Sequence, residues 1–109
     1  MASDILSTLA QTISARRLAS GEASYTRQLL DAGTAKCARK FGEEAVEAII
    51  AALGSDEEAL KAEAADVLYH LLVLLEVRGV RLDDVLGLLE ARMSRSGLAE
   101  KASRSRPQG

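Results

Sequence analysis

Proline placement is the sequence feature that most constrains this chain, because the single proline is Pro107 and no internal segment is barred from forming a helix. The sequence contains 19 alanines and 17 leucines, but only four isoleucines, six valines, two tyrosines and one phenylalanine. Alanine and leucine favour helices, and strands prefer β-branched and aromatic residues. At 109 residues, the chain fits one small domain. The sequence therefore predicts an all-α fold, a bundle of about five helices.

Apolar periodicity and capping residues predict where the helices lie. The predicted helices span residues 4–17, 25–32, 35–53, 55–78 and 83–93. Three of them are predicted to end at glycines, namely Gly33, Gly54 and Gly79. We expect Thr34, Ser55 and Asp83 to cap the last three helices, because short polar side chains accept hydrogen bonds from the first backbone N–H groups. Residues 1–93 are predicted to form the domain, and residues 94–109 a polar, flexible C-terminal tail.

The charge balance and the single cysteine exclude several kinds of partner. Fourteen basic and 16 acidic residues give a net charge of −2, which argues against a nucleic-acid module that needs a basic surface. The longest apolar run, residues 67–75, is too short to span a membrane and is interrupted by His70. Cys37 has no partner for an internal disulfide, and no signal peptide is recognisable. We expect a soluble cytoplasmic protein that binds neither nucleic acid nor membrane.

Two pairs of acidic residues occur on consecutive predicted helices. Glu44 and Glu47 are three residues apart on the third helix, and Glu63 and Asp66 are three apart on the fourth. Residues at this spacing project from one face of a helix, about one turn apart. The chain can reverse direction at Gly54, so an antiparallel helix pair would bring the two acidic faces together.

Apolar residues flank both acidic pairs, so carboxylates that converge there need a counter-charge. Four carboxylates close together would repel one another and raise each other's pKa. A hard divalent cation such as Mg²⁺, which prefers oxygen ligands, would relieve this repulsion. Spacing alone favours neither this metal site nor a solvated acidic stripe.

Several residues near the acidic pairs have two interpretations. Lys36 and Lys40 precede Glu44 by two turns and one turn, so they could contact a phosphate beside the metal. Equally, Lys40 and Glu44 could form an ordinary surface pair. His70 shares a face with the second acidic pair; it could contact a ligand, although buried histidines are more often hydrogen-bonded within an interface. Cys37 is predicted to be a small buried residue.

Chain length also predicts an oligomer. Small helical scaffolds bury little apolar area and often need a disulfide, a metal or a partner subunit. A disulfide is excluded, and the fourth helix carries leucines on more than one face, including Leu68, Leu71, Leu72, Leu74 and Leu75. We therefore expect an obligate homodimer or a higher homo-oligomer.

Three blocks of sequence resemble the phosphoribosyl-ATP pyrophosphatase family, within the superfamily of all-α nucleoside triphosphate pyrophosphohydrolases. The blocks are Ser24-Tyr25-Thr26, Lys40-Phe41-Gly42-Glu43-Glu44-Ala45-Val46-Glu47 and the run from Glu63-Ala64-Ala65-Asp66 through Tyr69-His70. The resemblance covers about residues 5–93. It departs from the family at Cys37-Ala38-Arg39, where more aliphatic residues are expected.

The resemblance implies an all-α dimer that hydrolyses 1-(5-phosphoribosyl)-ATP to 1-(5-phosphoribosyl)-AMP and pyrophosphate, the second step of histidine biosynthesis. It implies Mg²⁺ ligands at Glu44, Glu47, Glu63 and Asp66. It implies catalytic roles for Glu43, Glu44 and Glu47, with Glu43 near a second metal or the attacking water. It implies substrate contacts from Lys36, Lys40, Ser24, Tyr25 and Thr26. Two alternatives stay open: a broader housekeeping nucleoside triphosphate pyrophosphohydrolase, and a non-enzymatic helical dimerisation module.

Overall fold

A computed structural model describes residues 2–18 and 24–94, and within these ranges the chain forms five α-helices and no strand. The helices are α1 (Ala2–Arg16), α2 (Tyr25–Ala32), α3 (Thr34–Leu53), α4 (Glu57–Val77) and α5 (Leu82–Met93). The predicted all-α fold with five helices is confirmed. Apart from Ser94, the predicted tail lies outside the described residues, and the domain boundary stays a prediction.

The α3–α4 hairpin dominates the packing. These two helices make the most extensive contact of any pair, and only three residues connect them, so they run antiparallel. The helices α1 and α2 pack against the hairpin, and α5 packs against α1. This arrangement places the second half of α3 beside the first half of α4, where both acidic pairs lie.

Glycines end α2, α3 and α4 near the positions that the sequence predicts. Gly33 follows α2 with φ 96°, and its N–H donates to the carbonyl of Leu30. Gly79 follows the C-terminal turn of α4 with φ 71°. A positive φ strains residues that carry a Cβ, so glycine suits both turns.

The predicted caps of α3 and α5 are wrong. Thr34 is the first residue of α3 and follows Gly33 at the N-cap, where no side chain caps the helix. Asp83 lies inside the first turn of α5, and Arg81 occupies the N-cap without a capping side chain. Both helices begin earlier than expected, so Thr34 lies one position past its N-cap and Asp83 two positions past its N-cap, where neither side chain caps the helix.

The cap of α4 also differs from the prediction, because Asp56 rather than Ser55 takes this role. Oδ1 of Asp56 accepts hydrogen bonds from the backbone N–H groups of Glu58 at 3.0 Å and Ala59 at 3.2 Å. Helix α4 begins at Glu57, two residues later than the sequence indicates, so the aspartate and not the serine precedes its first turn.

Asp56→Ala is expected to lower the free energy of unfolding by about 1 kcal/mol, because it removes the acceptor for two N–H groups. Urea denaturation with circular dichroism measures this loss. Ser55→Ala is the matched control and is expected to change stability by less than about 0.5 kcal/mol. A larger loss from the serine variant than from the aspartate variant would contradict the assignment of the cap.

The buried apolar core is small. It comprises six residues from α1, α2, α3 and α4, namely Ile13, Leu29, Leu30, Cys37, Leu72 and Val73. Cys37 is buried as predicted; its Sγ donates to the carbonyl of Leu29 at 3.2 Å, and burial raises the pKa of the thiol. No residue of α5 is buried. Of the helices in the described part of the chain, none is long and apolar enough to cross a membrane.

Candidate active site

Three carboxylates converge between the two long helices. One oxygen each from Glu44 on α3 and from Glu63 and Asp66 on α4 lie within 4.8 Å of one another. Glu44 and Glu63 are half-buried, and Asp66 is exposed. The antiparallel hairpin thus brings together three of the four predicted ligands, which we call the carboxylate cluster.

Glu63 is the most perturbed member of this cluster. Its Oε1 is buried and has no hydrogen-bond partner among the described residues. Loss of hydration raises the pKa of the Glu63 carboxyl, and the charges of Glu47, Asp66 and Glu44 raise it further. Glu47 is outside the closest three, but its charge is the strongest of those acting on Glu63.

The raised pKa of Glu63 makes the stability of the metal-free protein depend on pH. Above the ordinary value of 4.5 and below the raised value, the folded state holds a proton that the unfolded chain has lost. Stability must therefore fall as the pH rises through this window. Glu63→Gln cannot ionise, so we expect it to melt at a higher temperature than the wild type at neutral pH.

Thermal unfolding without divalent cations measures this difference across the acidic range. The gap between Glu63→Gln and the wild type is expected to close as the pH falls below 4.5, where both side chains are neutral. A variant that is less stable than the wild type at neutral pH would contradict the prediction.

Lys40 lies one turn before Glu44 and pairs with a different glutamate. Its Nζ is 3.4 Å from Oε1 of Glu43, so the ordinary pair that the sequence suggested with Glu44 is replaced by one with Glu43. The hydrogen bond to Glu43 raises the pKa of Lys40, and the nearby phenol of Tyr25 adds to this effect. Lys36, one turn earlier on α3, is exposed.

Three rings pack together beside this lysine. The rings of Tyr25 and Tyr69 are stacked with centroids 6.4 Å apart and planes 20° apart. His70 meets both rings edge-on, at 6.2 Å from Tyr25 and 4.9 Å from Tyr69. The hydroxyls of Thr26 and Tyr69 form a hydrogen bond. We call Tyr25, Tyr69 and His70 the ring cluster.

The predicted substrate contacts at the start of α2 differ in how exposed they are. Ser24 is buried, and its hydroxyl accepts a hydrogen bond from the N–H of Arg27 at 3.1 Å as the cap of α2. Thr26 is buried and bonded to Tyr69. Tyr25 is 49% exposed. Of the three, Tyr25 alone presents a large surface to a ligand.

His70 has hydrogen-bonding capacity that the fold does not use. It is only 6% exposed, and its Nδ1 has no partner among the described residues. Burial lowers the pKa of His70, partly offset by the charge of Glu44. The hydrogen bond expected for an interface histidine is therefore not made at Nδ1. Buried nitrogens without a hydrogen-bond partner are rare in folded proteins.

A separate cleft lies away from these groups. It has a volume of about 390 Å³ and lies between α1 and the junction of α4 with α5, where Gln11, Leu72 and Arg81 contribute to its walls. None of the residues that the sequence singles out for chemistry lines it. Glu76 on its wall is already paired with Arg17, with Oε2 2.9 Å from Nε.

Fold and site together define a small all-α protein with a carboxylate cluster between antiparallel helices, flanked by a lysine and an aromatic surface. The family model for phosphoribosyl-ATP pyrophosphohydrolase matches residues 6–93. The chain belongs to the phosphoribosyl-ATP pyrophosphohydrolase family, and the resemblance seen in the sequence is confirmed. It is an enzyme of the expected class, a hydrolase that acts on a phosphoric anhydride.

Curated relatives agree with this assignment over nearly their whole length. The chain is 60% identical over 96 residues to phosphoribosyl-ATP pyrophosphatase 1 of Bradyrhizobium diazoefficiens, which covers 88% of this chain and 91% of the relative. Identity to phosphoribosyl-ATP pyrophosphatase 1 of Rhodopseudomonas palustris is 56% over 106 residues, covering 97% and 99%. Phosphoribosyl-ATP pyrophosphatase of Rhodobacter capsulatus is 58% identical over 99 residues, covering 91% and 96%.

Proposed function

We propose that the protein hydrolyses 1-(5-phosphoribosyl)-ATP to 1-(5-phosphoribosyl)-AMP and pyrophosphate in the cytoplasm, as the second step of histidine biosynthesis. The observation that carries this proposal is the carboxylate cluster of Glu44, Glu63 and Asp66 in a chain of this family. The names of the curated relatives support the substrate.

The carboxylate cluster fits Mg²⁺ by the chemistry of its donors. Its oxygens are the hard ligands that this ion prefers, and the buried, unpaired Oε1 of Glu63 lacks a counter-charge or donor. Glu44, Glu63 and Asp66 would hold the ion, with Glu47 beside them. When bound, Mg²⁺ neutralises charge on phosphate oxygens and on the departing pyrophosphate.

The chain's own residues supply binding and proton transfer. Lys40 and Lys36 lie on successive turns of α3 and hold phosphate oxygens of the substrate. A water molecule attacks the α-phosphorus, the bond between the α- and β-phosphates breaks, and pyrophosphate leaves. A carboxylate among Glu43, Glu44 and Glu47 accepts the water proton. The water oxygen therefore ends in the monophosphate product.

An assay with phosphoribosyl-ATP and Mg²⁺ tests the function directly by detection of pyrophosphate. In ¹⁸O-labelled water, we expect label in phosphoribosyl-AMP and not in pyrophosphate. Turnover of phosphoribosyl-ATP should far exceed that of ATP or dUTP. Equal turnover of ordinary nucleotides would instead favour the housekeeping pyrophosphohydrolase. Absence of both turnover and calorimetric Mg²⁺ binding would favour the dimerisation module.

We also propose that the enzyme works as a homodimer. One face of α3 carries four exposed apolar residues at helical spacing, which we call the α3 stripe: Val46, Ile49, Ile50 and Leu53. Among the leucines of α4, Leu72 is buried and Leu71, Leu74 and Leu75 are half-buried within the protomer, whereas Leu68 is 44% exposed. The α3 stripe is a contiguous apolar surface that stays uncovered within the protomer, and a second copy would cover it.

A further inference from the structure

The half-exposed ring of Tyr25 is held from within the protein. Tyr69 stacks against it, and the buried His70 supports both rings from the edge. Tyr69 is in turn fixed by the hydroxyl of Thr26, itself buried. Aromatic pairs in these stacked and edge-on geometries attract beyond their buried area. The ring of Tyr25 therefore has a defined position at the surface.

The ring of Tyr25 lies near the carboxylate cluster but is not part of it. The ring of Tyr25 packs against His70 with centroids 6.2 Å apart, and His70 lies one turn after Asp66 on α4. The ring cluster therefore lies beside the carboxylate cluster, and the charges of Glu44 and Lys40 both act on the pKa of His70. A nucleotide whose phosphates lie along Lys40 and the carboxylate cluster would bring its base to this region.

We propose that Tyr25 binds the nucleotide by stacking on its purine base, with Tyr69 and His70 as the residues that position its ring. The proposal rests on the proposed function for the identity of the substrate. A ring with exposed surface beside the carboxylate cluster suits a planar base, because bases stack on the faces of aromatic side chains. The unpaired Nδ1 of the buried His70 is a second, independent sign that a ligand completes this region.

Two substitutions at one position separate the ring from its hydroxyl. Tyr25→Leu removes the ring, and we expect KM for phosphoribosyl-ATP to rise about 5- to 100-fold while kcat changes little. Tyr25→Phe keeps the ring and is expected to restore KM to within about threefold of the wild type. Circular dichroism and thermal unfolding of both variants verify that they fold.

Either of two kinetic results would overturn the proposal while the function stands. The first is that the wild type hydrolyses phosphoribosyl-ATP and that Tyr25→Leu does so with the same KM. The other is an equal loss in Tyr25→Phe and Tyr25→Leu, which would show that the hydroxyl binds a phosphate instead.

Ring-proton NMR tests the same contact without turnover. The chain has two tyrosines, one phenylalanine, one histidine and no tryptophan, so Tyr25→Phe assigns the signals of Tyr25. Titration with AMP is expected to shift the Tyr25 ring protons upfield, whereas ribose 5-phosphate, which lacks the base, is expected to leave them in place. Equal shifts with both ligands, or no shift with AMP at saturation, would contradict stacking.

Tyr69→Phe tests the positioning role. It removes the hydroxyl that bonds Thr26 but keeps the ring, so we expect a smaller rise in KM than for Tyr25→Leu, with kcat again little changed. The AMP-induced shift of the Tyr25 protons should shrink in this variant. A full-sized shift together with a wild-type KM would show that Tyr69 does not position Tyr25.

Discussion

Asp66→Asn and Glu47→Gln are each expected to lower turnover by about 10³-fold or more while leaving the helices intact. Asp66 belongs to the carboxylate cluster, and Glu47 is the charge that acts most strongly on Glu63. An amide keeps the size of the side chain but cannot supply the negative charge that a divalent cation requires. Steady-state kinetics at saturating Mg²⁺ and calorimetric Mg²⁺ titration measure the two consequences.

The same substitutions should not destabilise the metal-free protein. Removing either charge reduces repulsion on Glu63, so thermal unfolding without cations is expected at the wild-type temperature or slightly above it. Glu57→Gln is the matched control, because Glu57 lies on the exposed first turn of α4 outside the carboxylate cluster. Normal turnover in Asp66→Asn, or an equal loss in Glu57→Gln, would refute the metal assignment.

The sequence predicted the number and order of the helices because the relevant signals are local. Helix type follows from alanine and leucine content, and the ends of α2, α3 and α4 follow from Gly33, Gly54 and Gly79. The meeting of the acidic pairs could also be predicted, since the same three-residue spacing and one reversal at Gly54 suffice. The N-cap of α4 was less predictable. Ser55 and Asp56 are adjacent, both side chains can accept the capping hydrogen bonds, and a shift of one residue in the start of the helix decides which of them does so.

The ring cluster was not predictable from local signals. Tyr25 and Tyr69 are 44 residues apart, on α2 and α4, and no periodicity relates them. Their contact depends on how α2 packs onto the hairpin. The three-residue block around Tyr25 pointed to binding only through resemblance to the family, and the structure distinguishes the exposed Tyr25 from its buried neighbours Ser24 and Thr26.

Side-chain burial likewise depends on tertiary packing that the sequence pattern does not specify. The leucines of α4 and the apolar residues of α3 have similar helical spacing, so the pattern alone does not decide which of them are covered within the protomer. In the structure α1 and α2 pack against α4 and cover several of its leucines, and the α3 stripe stays exposed. Which apolar face stays exposed thus depends on where the two N-terminal helices pack on the hairpin.

Ile49→Glu, in the middle of the α3 stripe, distinguishes a dimer from a monomer. Ile49 is 59% exposed in the protomer, so in a monomer the substitution should change stability by less than about 0.5 kcal/mol. In a dimer it buries an unpaired charge in each subunit, at a cost of about 3 kcal/mol or more per copy. We therefore expect the dissociation constant of the dimer to rise by about 10⁴-fold or more.

Light scattering and thermal unfolding over a range of protein concentrations measure this outcome. The wild type should be dimeric at micromolar concentration and should melt at a temperature that rises with concentration, whereas Ile49→Glu should be monomeric and melt lower. Ile5→Glu is the control, because Ile5 is 71% exposed on α1 outside the α3 stripe and should leave the dimer unchanged. A monomeric wild type, or identical behaviour of the two variants, would show that the α3 stripe is not the interface.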